Sequence, residues 1–262
     1  MIQLPMHSTK AFDRSSIASV NNLKPSAVIS ADNLLALNTR SARSPSASQS
    51  PPPAALQNQS ASASRTAPVP SPARMAVPAF RHPIAKGQKA TLKEGGQLSS
   101  IRACFGWNVQ NAACDVDVSA FLLDGSGKVI GDDWFVFYGQ AKSPDSSICF
   151  LDHAPDGREM ITIDFTKLNP AVTKIAFVLT INDAFEKKLN FAMIKDAYIR
   201  IMDASGGSEL VSFLHEESFA NVISLMIGEI YQYNGVWKFC AAGNGLARDL
   251  AGLCEFYGVE VV

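Results

Sequence analysis

The sequence predicts a mainly β fold, a β-sandwich with a few short helices, preceded by a disordered leader. Two observations predict it. Composition breaks near residue 86, and from Lys86 onward short runs of β-branched and aromatic residues alternate with turn residues. Residues 1–86 hold nine Lys/Arg against Asp13 and Asp32, a net of +7, with Phe12 and Phe80 as their only aromatics. Residues 87–262 hold 14 Lys/Arg against 22 Asp/Glu, a net of −8. The whole-chain charge of −1 therefore conceals two segments of opposite sign.

The first segment, dominated by Ser, Ala and Pro between Ser26 and Pro78, has neither helical nor strand periodicity. It cannot bury enough apolar surface to offset the entropy of ordering, and reads as a solvated linker. Its start lacks an apolar signal core, and no stretch approaches the ~20 apolar residues of a membrane span. A cytoplasmic protein is expected, with peripheral membrane association left open. The Ser-rich, acid-poor leader also fits a targeting address, for an organelle or for secretion as an effector.

In the second segment, residues 99–109 and 114–124 read as strands, and Asp124 to Lys128 as a turn leading into "VIGDDWFVFYG". Residues 159–165, 174–181, 196–203 and 209–215 alternate apolar and polar side chains and are predicted strands. "FANVISLMIGEI" (219–230) carries apolar residues at helical spacing and is predicted to be an amphipathic helix. Asn234-Gly235 predicts a two-residue hairpin turn. Gly243-Asn244-Gly245 reads as a turn before a short helix stopped by Gly258, and "VEVV" as a last strand. His215-Glu216-Glu217 reads as a polar helix start, and His153 as a surface-loop residue. The five cysteines form no CxxC pair and are read as small buried hydrophobes.

Among residues that could carry chemistry, Asp115-Val116-Asp117-Val118-Ser119 stands out. On a strand, Asp115, Asp117 and Ser119 share one face while both valines enter the other. Two carboxylates on one face suit a hard cation such as Ca²⁺. The EF-hand pattern fails, since its sixth position is Ala120 and its twelfth is Ser126. Two Asp alone are more simply read as solvated residues of an exposed face, because calcium takes about 6 to 8 oxygens. No nucleophile elbow, HExxH or P-loop is present, so no enzyme is expected. The acidic segment makes nucleic acid an unsuitable partner.

Three longer blocks go further: "DVDVSAFLLDGSGKVIGDDWFVFYGQAKSPDSS", "KIAFVLTINDAFEKKLNFAMIKDAYIRIMD" and "GEIYQYNGVWKFCAAGNGLARDLAGLCEFYGVEV". In order and spacing they resemble the tellurium-resistance TerD family, over about Lys86 to Val262. The resemblance implies a TerD-like β-sandwich domain at 87–262, calcium binding in many members, a role in stress resistance through protein partners, and no enzymatic activity. It assigns Asp115 and Asp117 to the calcium site. Where other members continue with a long acidic run, this chain has the shorter "SPDSSICFLDHAPDGREMITIDF", with only Asp152, Asp156 and Glu159 after Asp145, of which Asp152 and Asp156 would substitute in part for the missing ligands.

Overall fold

The computed structural model describes residues 74–93, 98–152 and 158–260. Among the described residues, eleven strands form two antiparallel sheets. They are β1 (Lys89–Thr91), β2 (Ser100–Val109), β3 (Val116–Leu123), β4 (Phe135–Val136), β5 (Ile148–Asp152), β6 (Glu159–Asp164), β7 (Lys174–Ile181), β8 (Ile194–Asp203), β9 (Glu209–His215), β10 (Ser224–Tyr233) and β11 (Val236–Leu246). The six-stranded sheet runs β1-β11-β10-β7-β3-β4, and the five-stranded sheet runs β5-β6-β2-β8-β9. The longer strands carry apolar rows that face the space between the sheets. Ile101, Ala103 and Phe105 of one sheet meet Val118, Ala120 and Phe177 of the other in a single core. This is the predicted sandwich.

A second apolar layer covers the outer face of the six-stranded sheet. There α1 (Leu250–Tyr257) lays Leu253, Cys254 and Tyr257 over Phe121, Phe135 and Val178. Phe137, Phe135, Phe121 and Tyr257 stack in series, with centroids 4.7, 4.5 and 4.4 Å apart. The helix begins where the Asp249 carboxylate accepts from the Gly252 amide at 2.9 Å, and ends at Gly258, whose φ of 85° suits glycine. Sandwiched between two apolar layers, β3 is buried along its whole length. The Asn234-Gly235 turn also forms as expected, with φ of 50° and 75° and Tyr233 paired to Val236.

Several expectations are corrected. Residues 224–230 belong to β10, not to a helix. A bulge between Met226 and Gly228 shifts the register, so the inward residues Leu225, Ile227 and Ile230 fall two and then three apart, which imitates helical spacing. The Asp124–Lys128 turn forms as expected, and beyond it the chain makes a 3₁₀ turn (Asp132–Trp134) and the two-residue β4. Gly243-Asn244-Gly245 lies inside β11, and His215 closes β9 with only 7% of its surface exposed. Val259 and Glu260 are not in a strand, while Val261 and Val262 lie outside the described residues. Strands β1 and β5 were not foreseen. Cys104, Cys114 and Cys254 are buried, Cys149 and Cys240 partly so, and all five are free thiols.

Residues 74–86, placed with the leader by composition, run along the five-stranded sheet. Met75 exchanges two hydrogen bonds with the Asn108 side chain, at 2.7 and 2.9 Å. Arg74 pairs with Asp196 at 3.0 Å. Pro83 bridges Ser212 in parallel on the outer edge of β9. The folded body thus starts before residue 86.

Candidate functional site

The paired acids stand at the end of β3 where the strand begins. Asp115 immediately precedes the strand, and its carbonyl accepts from the Asn182 amide at 2.8 Å. Asp117 lies opposite Thr180 of β7. Val116 and Val118 enter the core, so Asp115, Asp117 and Ser119 share the outer face, as alternation requires. That face is covered here rather than solvated: Asp117 is 3% exposed and Ser119 1%. Asp115 is half-buried.

Other carboxylates converge on the same end. Because β4 pairs only with Ala120 and Phe121, the Val118 amide lies beyond its reach. Glu159, the first residue of β6 and 4% exposed, crosses from the other sheet and accepts that amide at 2.7 Å. Asp152, exposed at the end of β5, is Glu159's register partner. Asp183, one residue beyond Asn182, has a φ of 52°. One of its oxygens pairs with Lys187 at 3.1 Å, while Oδ1 is buried without a hydrogen bond. Of the four predicted ligands, Asp115, Asp117 and Asp152 are described and Asp156 and the neighbouring His153 lie outside the described residues. Among the described residues, no three His, Cys, Asp or Glu side chains come close enough together to hold a metal ion.

Asp183 was missed by sequence reasoning, although it sits in the quoted block "KIAFVLTINDAFEKK"; a non-glycine residue at positive φ leaves no mark in composition. Asp145, by contrast, is spent on structure. Its carboxylate accepts from Ser143 Oγ (2.7 Å), Ser147 N and Oγ (2.9 and 2.7 Å) and Asn169 N (2.9 Å). Burial opposes its ionisation, but these hydrogen bonds outweigh burial and hold its pKa below the ordinary carboxylate value. Among the described residues no helix is long and apolar enough to cross a membrane.

The family model of the TerD domain matches residues 81–257. General stress protein 16U of Bacillus subtilis (strain 168) is 33% identical over 188 residues, covering 68% of this chain and 97% of that protein. Tellurium resistance protein TerD of Alcaligenes sp is 33% identical over 189 residues, covering 68% and 97%. A solved homologue of telluride resistance protein (TerD) from Streptomyces coelicolor A3(2) is 17% identical, with a TM-score of 0.45, covering 59% of this chain and 94% of that one.

Proposed function

This chain belongs to the TerD family, and from that premise we propose that it is a stress-response protein of the tellurium-resistance type that acts by binding rather than by catalysis. One observation carries the reading. The folded region spans nearly the full length of relatives named for general stress and for tellurium resistance. Carboxylates are also occupied with holding the fold, as the half-buried Asp145 and the buried Glu159 are, which suits a binding module better than acid–base chemistry. Its action runs through association with protein partners.

Calcium modulation is the finer part of the proposal. Asp115 and Asp117 offer hard oxygen donors on one face, and the buried, unpartnered Oδ1 of Asp183 at the same end of the sheet is a group that a cation would satisfy. No three described carboxylates come together around one point, so main-chain carbonyls and water would supply most of a calcium shell. The whole-cell test is growth. Deleting the gene in its native host should lower the tellurite concentration that stops growth, and the full chain supplied in trans should restore it. Unchanged growth of the deletion strain under tellurite and other chemical stress contradicts the proposal.

A further inference from the structure

The α1 layer covers the outer face of the six-stranded sheet over β3, β4 and β7. Toward the Asn234-Gly235 turn, the same face of β10, β11 and β1 carries no second apolar layer among the described residues. Phe239 of β11 and Ile230 of β10 enter the core, and Ala90 of β1 packs against it. Alternation therefore turns their neighbours Lys238, Tyr231 and Lys89 outward. Register gathers them: Lys238 pairs with Tyr231, and Lys89 pairs with Cys240, two residues along β11 from Lys238. Beside the turn, Tyr233 and Val236 oppose one another and are 57% and 38% exposed. A tyrosine offers an apolar ring with a polar tip, which suits it to a surface that a partner covers.

The lysines of this face lie over rings instead of acids. Lys89 Nζ stands 5.7 Å from the Tyr231 ring centroid and Lys238 Nζ 5.1 Å from that of Tyr233. Neither has a carboxylate partner among the described residues, whereas the neighbouring Lys174 pairs with Glu229 at 3.1 Å. A ring attracts an ammonium group without neutralising it, so a carboxylate can still pair with it. Two uncompensated positive charges thus stand on a body, residues 87–262, whose net charge is −8. Screening limits the reach of each charge to about 8 Å at physiological salt, so an approaching group responds to the charges nearest to it. A bilayer or a nucleic acid spreads its negative charge far beyond two lysines and meets the acids of the remaining surface. A short extended peptide segment does not, and its alternate side chains point the same way, about 7 Å apart.

We propose that the outer face of β1, β11 and β10 docks a short extended segment of a partner protein with carboxylates at alternate positions, its acids on Lys89 and Lys238 and its remaining atoms over Tyr231, Tyr233 and Val236. This names the kind of partner for the protein-association reading above and rests on that reading. The surface lies at the Lys174 end of β7, while Asp115 and Asp117 stand at its other end, and docking needs no calcium. The test is a titration of the ¹⁵N-labelled full chain with an octapeptide of alternating glutamate and threonine, beside its glutamine counterpart. The glutamate peptide should move the amide signals of Lys89, Tyr231, Tyr233 and Lys238 saturably. Its affinity should fall about tenfold or more in the double variant Lys89→Glu, Lys238→Glu and about threefold in Lys89→Gln, Lys238→Gln. Reversing two charges on the other sheet, Lys142→Glu beside β5 and Lys195→Glu in β8, should change it less than about twofold; melting curves verify that each variant folds. Signals unmoved by the glutamate peptide, equal binding of the glutamine peptide, or an affinity indifferent to Lys89 and Lys238 overturns the proposal, as does tighter binding of an oligodeoxynucleotide or of anionic phospholipid vesicles on this face. Growth of the deletion strain under tellurite is read separately, so the stress-protein reading and the docking surface fail on different measurements.

Discussion

Glu209 is a carboxylate whose side chain is 0% exposed, and it joins three segments. One oxygen accepts the Arg81 and His82 amides at 2.8 Å each and the Ser212 hydroxyl at 2.9 Å, while the other takes Arg200 Nε at 2.8 Å. Burial works against its charge, but the His82, Arg200, Ser212 and Arg81 donors overcome it and hold the pKa below the ordinary glutamate value. A lowered folded-state pKa means stability that is present above the ordinary glutamate range, about 4.3, and lost as pH falls through the folded value. Glu209→Ala should therefore destabilise by about 3 kcal/mol or more at neutral pH, since it leaves the partly buried Arg200, the Arg81 and His82 amides and the Ser212 hydroxyl without their shared acceptor. The stability gap between the parent and Glu209→Gln should shrink as pH falls below about 4; urea unfolding at pH 7 and pH 3 measures both, and a gap independent of pH would show that Glu209 is not ionised in the fold. None of this was legible in sequence, where Glu209 is one polar residue of an alternating strand, because its donors lie up to 128 residues away.

At the scale of elements, strands with clean alternation were legible to within a few residues, as β7 and β9 show. Those interrupted by a bulge or shortened at a sheet edge were not: β10 imitated a helix, and β1 and β4 are too short to show a period. The segment 74–86 misled for another reason. Its composition is that of the leader, but its hydrogen bonds go to side chains of β2 and β9, which local pattern cannot reveal. A chain beginning at Gly87 should thus melt below one beginning at Arg74, by about 1 to 3 kcal/mol for each buried acceptor left unsatisfied, and limited proteolysis of the full chain should stop near residue 74 instead of 86. Equal melting of the two chains would mean that the segment adds nothing to the fold. Within β2, Gly106 admits the Tyr198 ring, since a Cβ there would lie 2.4 Å from it. Gly106→Ala should cost about 1 to 3 kcal/mol by thermal melting, and a neutral effect would show the ring free to move aside.

Across the whole molecule, the three sequence blocks pointed to the family because they contain the central strands β3, β7 and β8 and the β10–β11 hairpin, the framework that orders both sheets. The candidate site was half legible. Asp115 and Asp117 announced themselves by alternation, but Asp183 and the crossing of Glu159 to Val118 emerge only when β6 and β7 are brought to the same end of β3. That end carries the proposed calcium ligands, so calcium is its most direct probe. A ligand that binds only the folded state raises stability by an amount set by its concentration over Kd, about 2.7 kcal/mol at a hundredfold excess. The deciding measurement is thermal unfolding of the full chain across a calcium titration, with the double variant Asp115→Asn, Asp117→Asn beside it. The melting temperature should rise with calcium in the parent and stay flat in the variant; a parent curve indifferent to both calcium and chelator, or a rise that survives the double substitution, would rule out calcium modulation through Asp115 and Asp117.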